Sequence, residues 1–327
     1  MIASVILGAG FSYVAGLPLT KDLFETSILP STKSDKAKRN HEEVMAAWKV
    51  WKKENPEGNA EQWLRLLYEN RGFALLGTTW ENALNFAMAR LVKLPPGRNA
   101  AYYHGITTCI DNEVHKDFWE KIRGAFTLKY VVSMNYDILA EQGLKCQYSK
   151  ERVAPICYYG GFQWQQVVKK MTDVTKHRYE NVELGHEVAL FKMHGSINWA
   201  FEPHGFKIHD DVRAAFRVDQ KLGEVAIIPP LPEKDVPDWL INVWKQAEES
   251  LSHSQVWIIC GYSLPDYDVA LKNFFKRAAD KTFGLRLYIL DPFSSDLAGK
   301  WENIAPVGTV IKKLPGLPEG LENQYWL

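Results

Sequence analysis

Ile2-Ala3-Ser4-Val5-Ile6-Leu7-Gly8-Ala9-Gly10-Phe11-Ser12 runs from a short apolar segment straight into a glycine turn. An apolar run of this length closed by glycine reads as a buried strand. Glycines at its end let the backbone pass close to a diphosphate, whose charge is attracted by the free amides and dipole at the start of the next helix. That helix is expected over Ala15 to Thr26. The geometry suits a dinucleotide, although the usual fingerprint places a third glycine where this chain has Tyr13, and Gly16 comes too late to replace it. The same residues also read as a plain turn that packs a strand against its helix. No GxxxxGK[ST] segment occurs, so a phosphate loop for ATP hydrolysis is not supported.

Outward from this segment, further apolar runs bounded by turn residues read as strands: Tyr130-Ser133, Val188-Met193, Glu224-Ile228, Val256-Cys260 and Leu285-Leu290. Helical patterns over Asp238 to Leu251 and Asp268 to Ala279 alternate with the later ones. Strands alternating with helices imply a parallel sheet covered on both faces. The fold class is therefore α/β, a Rossmann-like doubly wound parallel sheet with a helical insertion.

The insertion is expected at 32–126, where Glu42 to Lys53, Ala60 to Asn70, Trp80 to Val92 and Ala101 to Phe126 carry apolar residues at three- and four-residue spacing. The sheet domain then comprises 1–31 and 127–327. Lys33 to Arg39 reads as a charged, solvated linker into the insertion. Trp48, Trp51, Trp63 and Trp80 read either as core or as an exposed assembly surface. Tyr148 to Glu187 shows no clear period and is read as loops with short elements.

Four further strand ends carry polar groups. Val131-Val132-Ser133-Met134-Asn135-Tyr136-Asp137 places an amide and a carboxylate at the carboxyl edge of the sheet, where open α/β sheets bind ligands. Asn135 can orient a water or a sugar hydroxyl, and Asp137 can fix the loop or cap a helix over Ile138 to Leu144; a turn and a cap alone would also explain the pair. Phe191-Lys192-Met193-His194-Gly195-Ser196 ends in the one histidine of nine that stands beside a glycine at a strand end. An imidazole there can accept a proton near neutral pH. Cys260-Gly261-Tyr262-Ser263-Leu264-Pro265-Asp266 and Leu290-Asp291-Pro292 close two more strands with small or polar residues, as an adenosine half-site requires.

Composition narrows the classes. The chain has 327 residues, 46% of them hydrophobic, enough for a sizeable core. Lysine plus arginine equals aspartate plus glutamate at 39 each, so no global basic field would hold nucleic acid or an anionic membrane. Cys109, Cys146, Cys157 and Cys260 form no CxxC pair, so no metal is expected, and few cysteines suit a reducing cytoplasm. The apolar start lacks the basic residues of an export signal, and no apolar run reaches the roughly 18 to 20 residues of a membrane-spanning helix. A soluble, cytoplasmic protein with a small ligand is expected.

In order along the chain, GAGFSYVAGLP, SMNYD, MHGSINW, GYSLPDYD and YILDP resemble the motif series of the sirtuin-like superfamily. The resemblance covers about residues 1–28 and 127–312. It implies a Rossmann-type NAD site in which Gly8, Ala9, Gly10 and Ser12 hold diphosphate. It maps Asn135, Asp137 and His194 to the reaction centre and Gly261, Ser263 and Asp291 to the adenosine side. Sirtuins that deacetylate proteins continue from the Gly-Leu-Pro motif with Asp-Phe-Arg, whereas this chain reads Leu19-Thr20-Lys21-Asp22-Leu23 and lacks their four-cysteine zinc module. The form found here is similar to the divergent branch of bacterial antiphage-defence proteins, whose members hydrolyse NAD.

That resemblance implies an NAD glycohydrolase releasing nicotinamide and ADP-ribose, with NAD as substrate. It also implies restraint through a homo-oligomer or a defence partner such as an ATPase or an Argonaute-like protein. Two other readings stand beside it: a module that senses NAD or ADP-ribose without turnover, and an NAD-dependent ADP-ribosyltransferase or deacylase.

Overall fold

The first strand, β1 (Ile2–Leu7), lies at the centre of a sheet in the computed structural model, which describes residues 1–25, 35–92, 113–148, 156–157, 188–202, 205–208, 224–231, 235–322 and 326. It pairs in parallel with β2 (Thr127–Ser133) on one side and β8 (Val256–Cys260) on the other. Beyond β2 come β4 (Val188–Lys192) and the two-residue β3 (Ile156–Cys157); beyond β8 come β9 (Arg286–Leu290) and β10 (Val310–Leu314). Every pairing in this sheet is parallel. The order β10-β9-β8-β1-β2-β4-β3 makes β1 the strand at which the winding reverses, so the crevice beyond the carboxyl ends of β1 and β8 is where a ligand is expected.

Helices flank the sheet. On β2 and β4 packs α7 (Asp238–Ser252), which also lies against α8 (Val269–Asp280), and α9 (Ser294–Glu302) packs on β9 and β10. Strands β4 and β8 are buried along their whole length, which explains their unbroken apolar sequence. The architecture is the Rossmann-like, doubly wound α/β fold.

Several local expectations change. The helix after the glycine turn begins at once: α1 (Ala9–Tyr13) has Gly8 as its N-cap and stops well before Thr26. Gly16, with φ of +88°, and Pro18 account for the stop, since neither continues a helix readily. Among the described residues up to 25, a 3-10 turn, Thr20–Asp22, follows.

The run expected as a sheet strand at Glu224-Ile228 is β7 (Glu224–Ile227), which belongs instead to a second, antiparallel sheet of order β6-β5-β7. Its partners are β5 (Gly195–Glu202) and β6 (Gly205–Ile208). A short apolar run shows that a strand is buried, not which sheet it joins.

The chain divides into two compact units. One comprises 1–15, 99–227 and 232–327 and holds both sheets; the other comprises 16–98 and 228–231. The grouping differs from the sequence boundaries at residues 31 and 126. The helix α5 (Glu113–Ala125) goes with the first unit, lying against β2 and α6 (Leu139–Tyr148). Its Trp119 leaves no room for a side chain at position 143 of α6: a Cβ on Gly143 would lie 2.3 Å from the indole nitrogen. Residues 101–112 of the expected helix, and most of Tyr148 to Glu187, lie outside the described residues.

In the second unit, α2 (Asp35–Glu54), α3 (Ala60–Glu69) and α4 (Trp80–Val92) carry the three-and-four spacing into a shared core. Asp35 to Arg39, read as linker, form the first turn of α2, where the Asp35 carboxylate suits the positive end of the helix dipole; Lys33 and Ser34 lie outside the described residues. Asn59 and Gln62 cap α3 reciprocally through 3.0 and 2.9 Å hydrogen bonds. Trp48, Trp51, Trp63 and Trp80 are all buried, which removes them as an exposed assembly surface. Phe24 meets Trp63 edge-on at 4.8 Å and stacks on Phe86 at 5.4 Å. Truncating Trp63 to alanine should lower unfolding free energy by about 3–5 kcal/mol in a urea titration, and an unchanged midpoint would contradict this packing.

Candidate active site

At the carboxyl end of β1 the backbone of three strand ends is stitched together. The Gly8 amide donates to the Cys260 carbonyl (3.1 Å), that of Gly10 to the Gly261 carbonyl (2.9 Å) and that of Gly261 to the Leu290 carbonyl (3.1 Å). Side chains would not fit between them. A Cβ at Gly8 would lie 2.5 Å from the Gly261 oxygen, and one at Gly261, where φ is +62°, would lie 2.3 Å from the Phe11 nitrogen. Backbone packed on backbone is thus one reason for these glycines. The sequence reading assigned Gly8, Ala9 and Gly10 to a diphosphate; the structure places them at the switch point with the Gly8 and Gly10 amides already engaged inside the protein.

From the neighbouring strand, β2 delivers Asn135 and Asp137 to this loop. The Asn135 amide nitrogen donates to the Gly8 carbonyl and to Ser12 Oγ, each at 2.9 Å. Ser12 Oγ donates to Asp137 Oδ2 at 2.7 Å, while Asp137 Oδ1 accepts from the Leu139 amide at 2.9 Å and so starts α6. The direction of every bond is forced. A carboxylate and a carbonyl only accept, and a serine hydroxyl has one proton to give, so Asn135 must turn its NH2 inward. Its Oδ1 is left as an acceptor on a half-buried side chain.

His194 comes from the next strand end over. Met193 is clamped on both sides, its amide donating to the Ser133 carbonyl (3.0 Å) and its carbonyl accepting from Trp244 Nε1 (2.9 Å). Gly195 has φ of +79° and sits so close to β7 that a Cβ would lie 1.9 Å from the Ala226 oxygen. The two turns are laced together, with the Ile197 amide donating to the Tyr136 carbonyl at 2.9 Å. His194 lies tilted against Tyr136, ring centroids 6.0 Å apart, and is 3% exposed; neither ring nitrogen makes a well-aligned hydrogen bond, the Met134 backbone being its one polar neighbour of note. Burial lowers its imidazole to about 4, opposed by the Met134 backbone.

Three supporting residues escaped the sequence reading. His115 of α5 stacks on Phe11 at 4.2 Å and reaches the Phe11 carbonyl through Nε2 at 2.8 Å, bracing α1 from behind. Its signal was its spacing with Phe118, Trp119 and Ile122 on one helix face. Lys192, at the end of β4, donates to the Asp137 carbonyl and pairs with Glu141 at 3.5 Å, both side chains fully buried. Its signal was a single charge closing the apolar run Val188-Ala189-Leu190-Phe191. Burial pushes the Glu141 carboxyl up, and Lys192 pulls it back.

On the other flank, Asp291 follows β9, and its Oδ1 accepts from the Phe293 amide at 2.9 Å. Burial raises this carboxyl, against the Phe293 amide. Gly261 is joined to the glycine turn, as above. Ser263 is exposed, and among the described residues no side-chain hydrogen bond joins it to the others. Among the described residues, no group of three His, Cys, Asp or Glu side chains stands close enough to hold a metal ion, and no helix is long and apolar enough to cross a membrane.

Burial also lowers the His115 imidazole to about 4, partly countered by the Phe11 carbonyl and the Asp137 charge. Both histidines return to the ordinary 6.5 when the chain unfolds, so the unfolded state binds more protons between pH 6.5 and 4. Stability is fully present above pH 6.5 and falls on acidification. Each histidine is expected to cost about 2 kcal/mol between pH 6.5 and 5. Urea titrations at the two pH values measure the loss, and equal midpoints would contradict the burial of these rings.

No protein-family model and no curated protein matches the chain. Solved structures do match. A Sir2 structure with an inhibitor, 2′-O-acetyl-ADP-ribose and a deacetylated p53 peptide is 12% identical, with a TM-score of 0.40 over 98% of this chain and 89% of the other. A Sir2–p53 peptide–NAD+ structure is 11% identical, with a TM-score of 0.39 over 98% and 89%. A Sir2 homolog–NAD complex is 13% identical, with a TM-score of 0.37 over 95% and 83%.

Proposed function

We propose that the chain binds NAD beyond the carboxyl ends of β1, β2, β4, β8 and β9 and hydrolyses it to nicotinamide and ADP-ribose. The observation that carries this reading is an almost wholly buried imidazole whose nitrogens lack a well-aligned partner, on a turn that the Ile197 amide ties to the Tyr136 carbonyl, next to Asn135, whose inward-turned NH2 leaves its Oδ1 as an acceptor. A buried polar group without a partner is costly, and a sugar hydroxyl or the attacking water would supply one. The sirtuin-like motif series supports the same ligand.

In the reaction the bond between the nicotinamide nitrogen and C1 of ribose breaks, and its electron pair returns to the ring nitrogen. The leaving group departs from a cationic pyridinium, so no strong general acid is needed. A water oxygen bonds to C1 of the oxocarbenium-like centre, and its proton passes to His194 and then to solvent. Asn135 Oδ1 accepts a hydrogen bond from that water or from a ribose hydroxyl and so orients it. Ser12 and Asp137 act as positioning residues, because their polar atoms hold the Asn135 amide. Ala9, Gly10 and Gly261 line the approach of the diphosphate, with Asp291 toward the adenosine.

A defence role, by likeness to antiphage NAD hydrolases, would require restraint by assembly or a partner. The buried tryptophans of the second unit do not supply that surface. Incubating the purified protein with NAD and following nicotinamide by chromatography, alongside His194→Ala, tests the reading. Release that disappears in the variant sustains it. Intact NAD despite measured binding would replace it with an NAD-sensing module.

A further inference from the structure

We infer that Lys192, held by Glu141, is a positioning residue that fixes the turn carrying Asn135 against the strand end carrying His194. The kinetic part of this inference rests on the hydrolytic reading. Lys192 closes β4 in register with Ser133 of β2, two residues before His194. Its ammonium is fully buried, donates to the Asp137 carbonyl and lies 3.5 Å from Glu141 Oε1, also fully buried.

A buried ion pair is weak evidence for stability, since an apolar pair of similar volume often does as well. The two turns are, moreover, already joined by the Met193 and Ile197 backbone amides. What the ammonium adds is a hold on Asp137 itself. The Asp137 carboxylate takes the Ser12 hydroxyl, which takes the Asn135 amide, which is anchored on Gly8. From one strand end, therefore, Lys192 sets both the approach of His194 and the far end of the relay that aims Asn135 Oδ1. Glu141, one helical turn beyond Asp137 on α6, keeps the ammonium from swinging away.

The test compares the wild-type chain with Lys192→Met/Glu141→Leu, which removes both charges together. Lys192→Met alone would leave a buried carboxyl without its cation and confound folding with function. Four quantities are measured: the melting temperature, ADP-ribose affinity, kcat and KM for nicotinamide release, and the His194 ring signals in proton–nitrogen NMR spectra. Those signals are assigned as the ones missing from His194→Ala. A positioning role predicts a double variant that melts no lower than wild type and binds ADP-ribose as well, with kcat reduced about 100-fold and displaced His194 signals. A stable double variant with unchanged kcat and unmoved signals overturns the inference, as does one that fails to fold, because the pair would then serve the fold. If wild-type protein releases no nicotinamide, the hydrolytic reading falls, and the NMR comparison decides the role of Lys192 by itself.

Discussion

Replacing His194 with alanine is expected to cut nicotinamide release about 100- to 10,000-fold, the range for loss of a general base, while the chain still folds and binds NAD. The fold should survive because the ring makes no hydrogen bond that the backbone needs, whereas Met193 and Gly195 on either side are held by backbone contacts. Affinity should survive because the proposed placement puts the diphosphate and adenosine ends of the ligand on other strand ends. The pH profile carries a second check. An ordinary histidine base would make kcat/KM fall with a midpoint near 6.5; with the ring lowered to about 4, activity should stay level from pH 8 down to about 5.5. A midpoint near 6.5 would show that the imidazole is hydrated in the working enzyme. Wild-type turnover in the alanine variant would remove His194 from the chemistry altogether.

Asn135→Asp is expected to be nearly as damaging, although it preserves the shape of the side chain and one carbonyl-type oxygen. The substitution puts an acceptor where the amide now donates to Gly8 O and Ser12 Oγ, both at 2.9 Å. Two acceptors facing each other repel, so the side chain must rotate, and the oxygen meant for the ligand leaves its place. Misplacement by about 1 Å can cost on the order of 100-fold in rate, and kcat for nicotinamide release should fall by at least that factor. Circular dichroism should remain that of the wild type, because the neighbouring strands are held by their own ladders. An aspartate variant with normal kcat would mean that the inward-facing NH2 does not aim the side chain.

Parts of this site were legible because they are local. A strand announces itself by an apolar run, and β1, β8 and most of β4 fall where their sequences place them. Polar residues immediately after such a run, Asn135 and His194 among them, lie at the carboxyl edge by construction. The helices of the second unit were legible for the same reason, through their three-and-four spacing. Less legible was β5, because Gly195-Ser196-Ile197-Asn198 reads as a polar turn, yet Ser196 and Asn198 are fully buried. The alternation of Ile197 and Trp199 with those residues was the available signal. Length misled at α1, where positive φ at Gly16 and the ring of Pro18 cut the helix short.

By itself the sequence determined that strands and helices alternate, that glycines close β1 and β8, and which polar side chains stand at strand ends, since each depends on residues within a few positions of one another. Only the tertiary structure decided which partners those side chains meet. Ser12 meets Asp137 across 125 positions and Lys192 meets the Asp137 carbonyl across 55, and no local pattern encodes either pairing. The direction of the Asn135 bonds, the neutral state of His194 and the burial of Lys192 with Glu141 follow from that assembly, because hydrogen-bond polarity and desolvation depend on what the folded chain brings within reach.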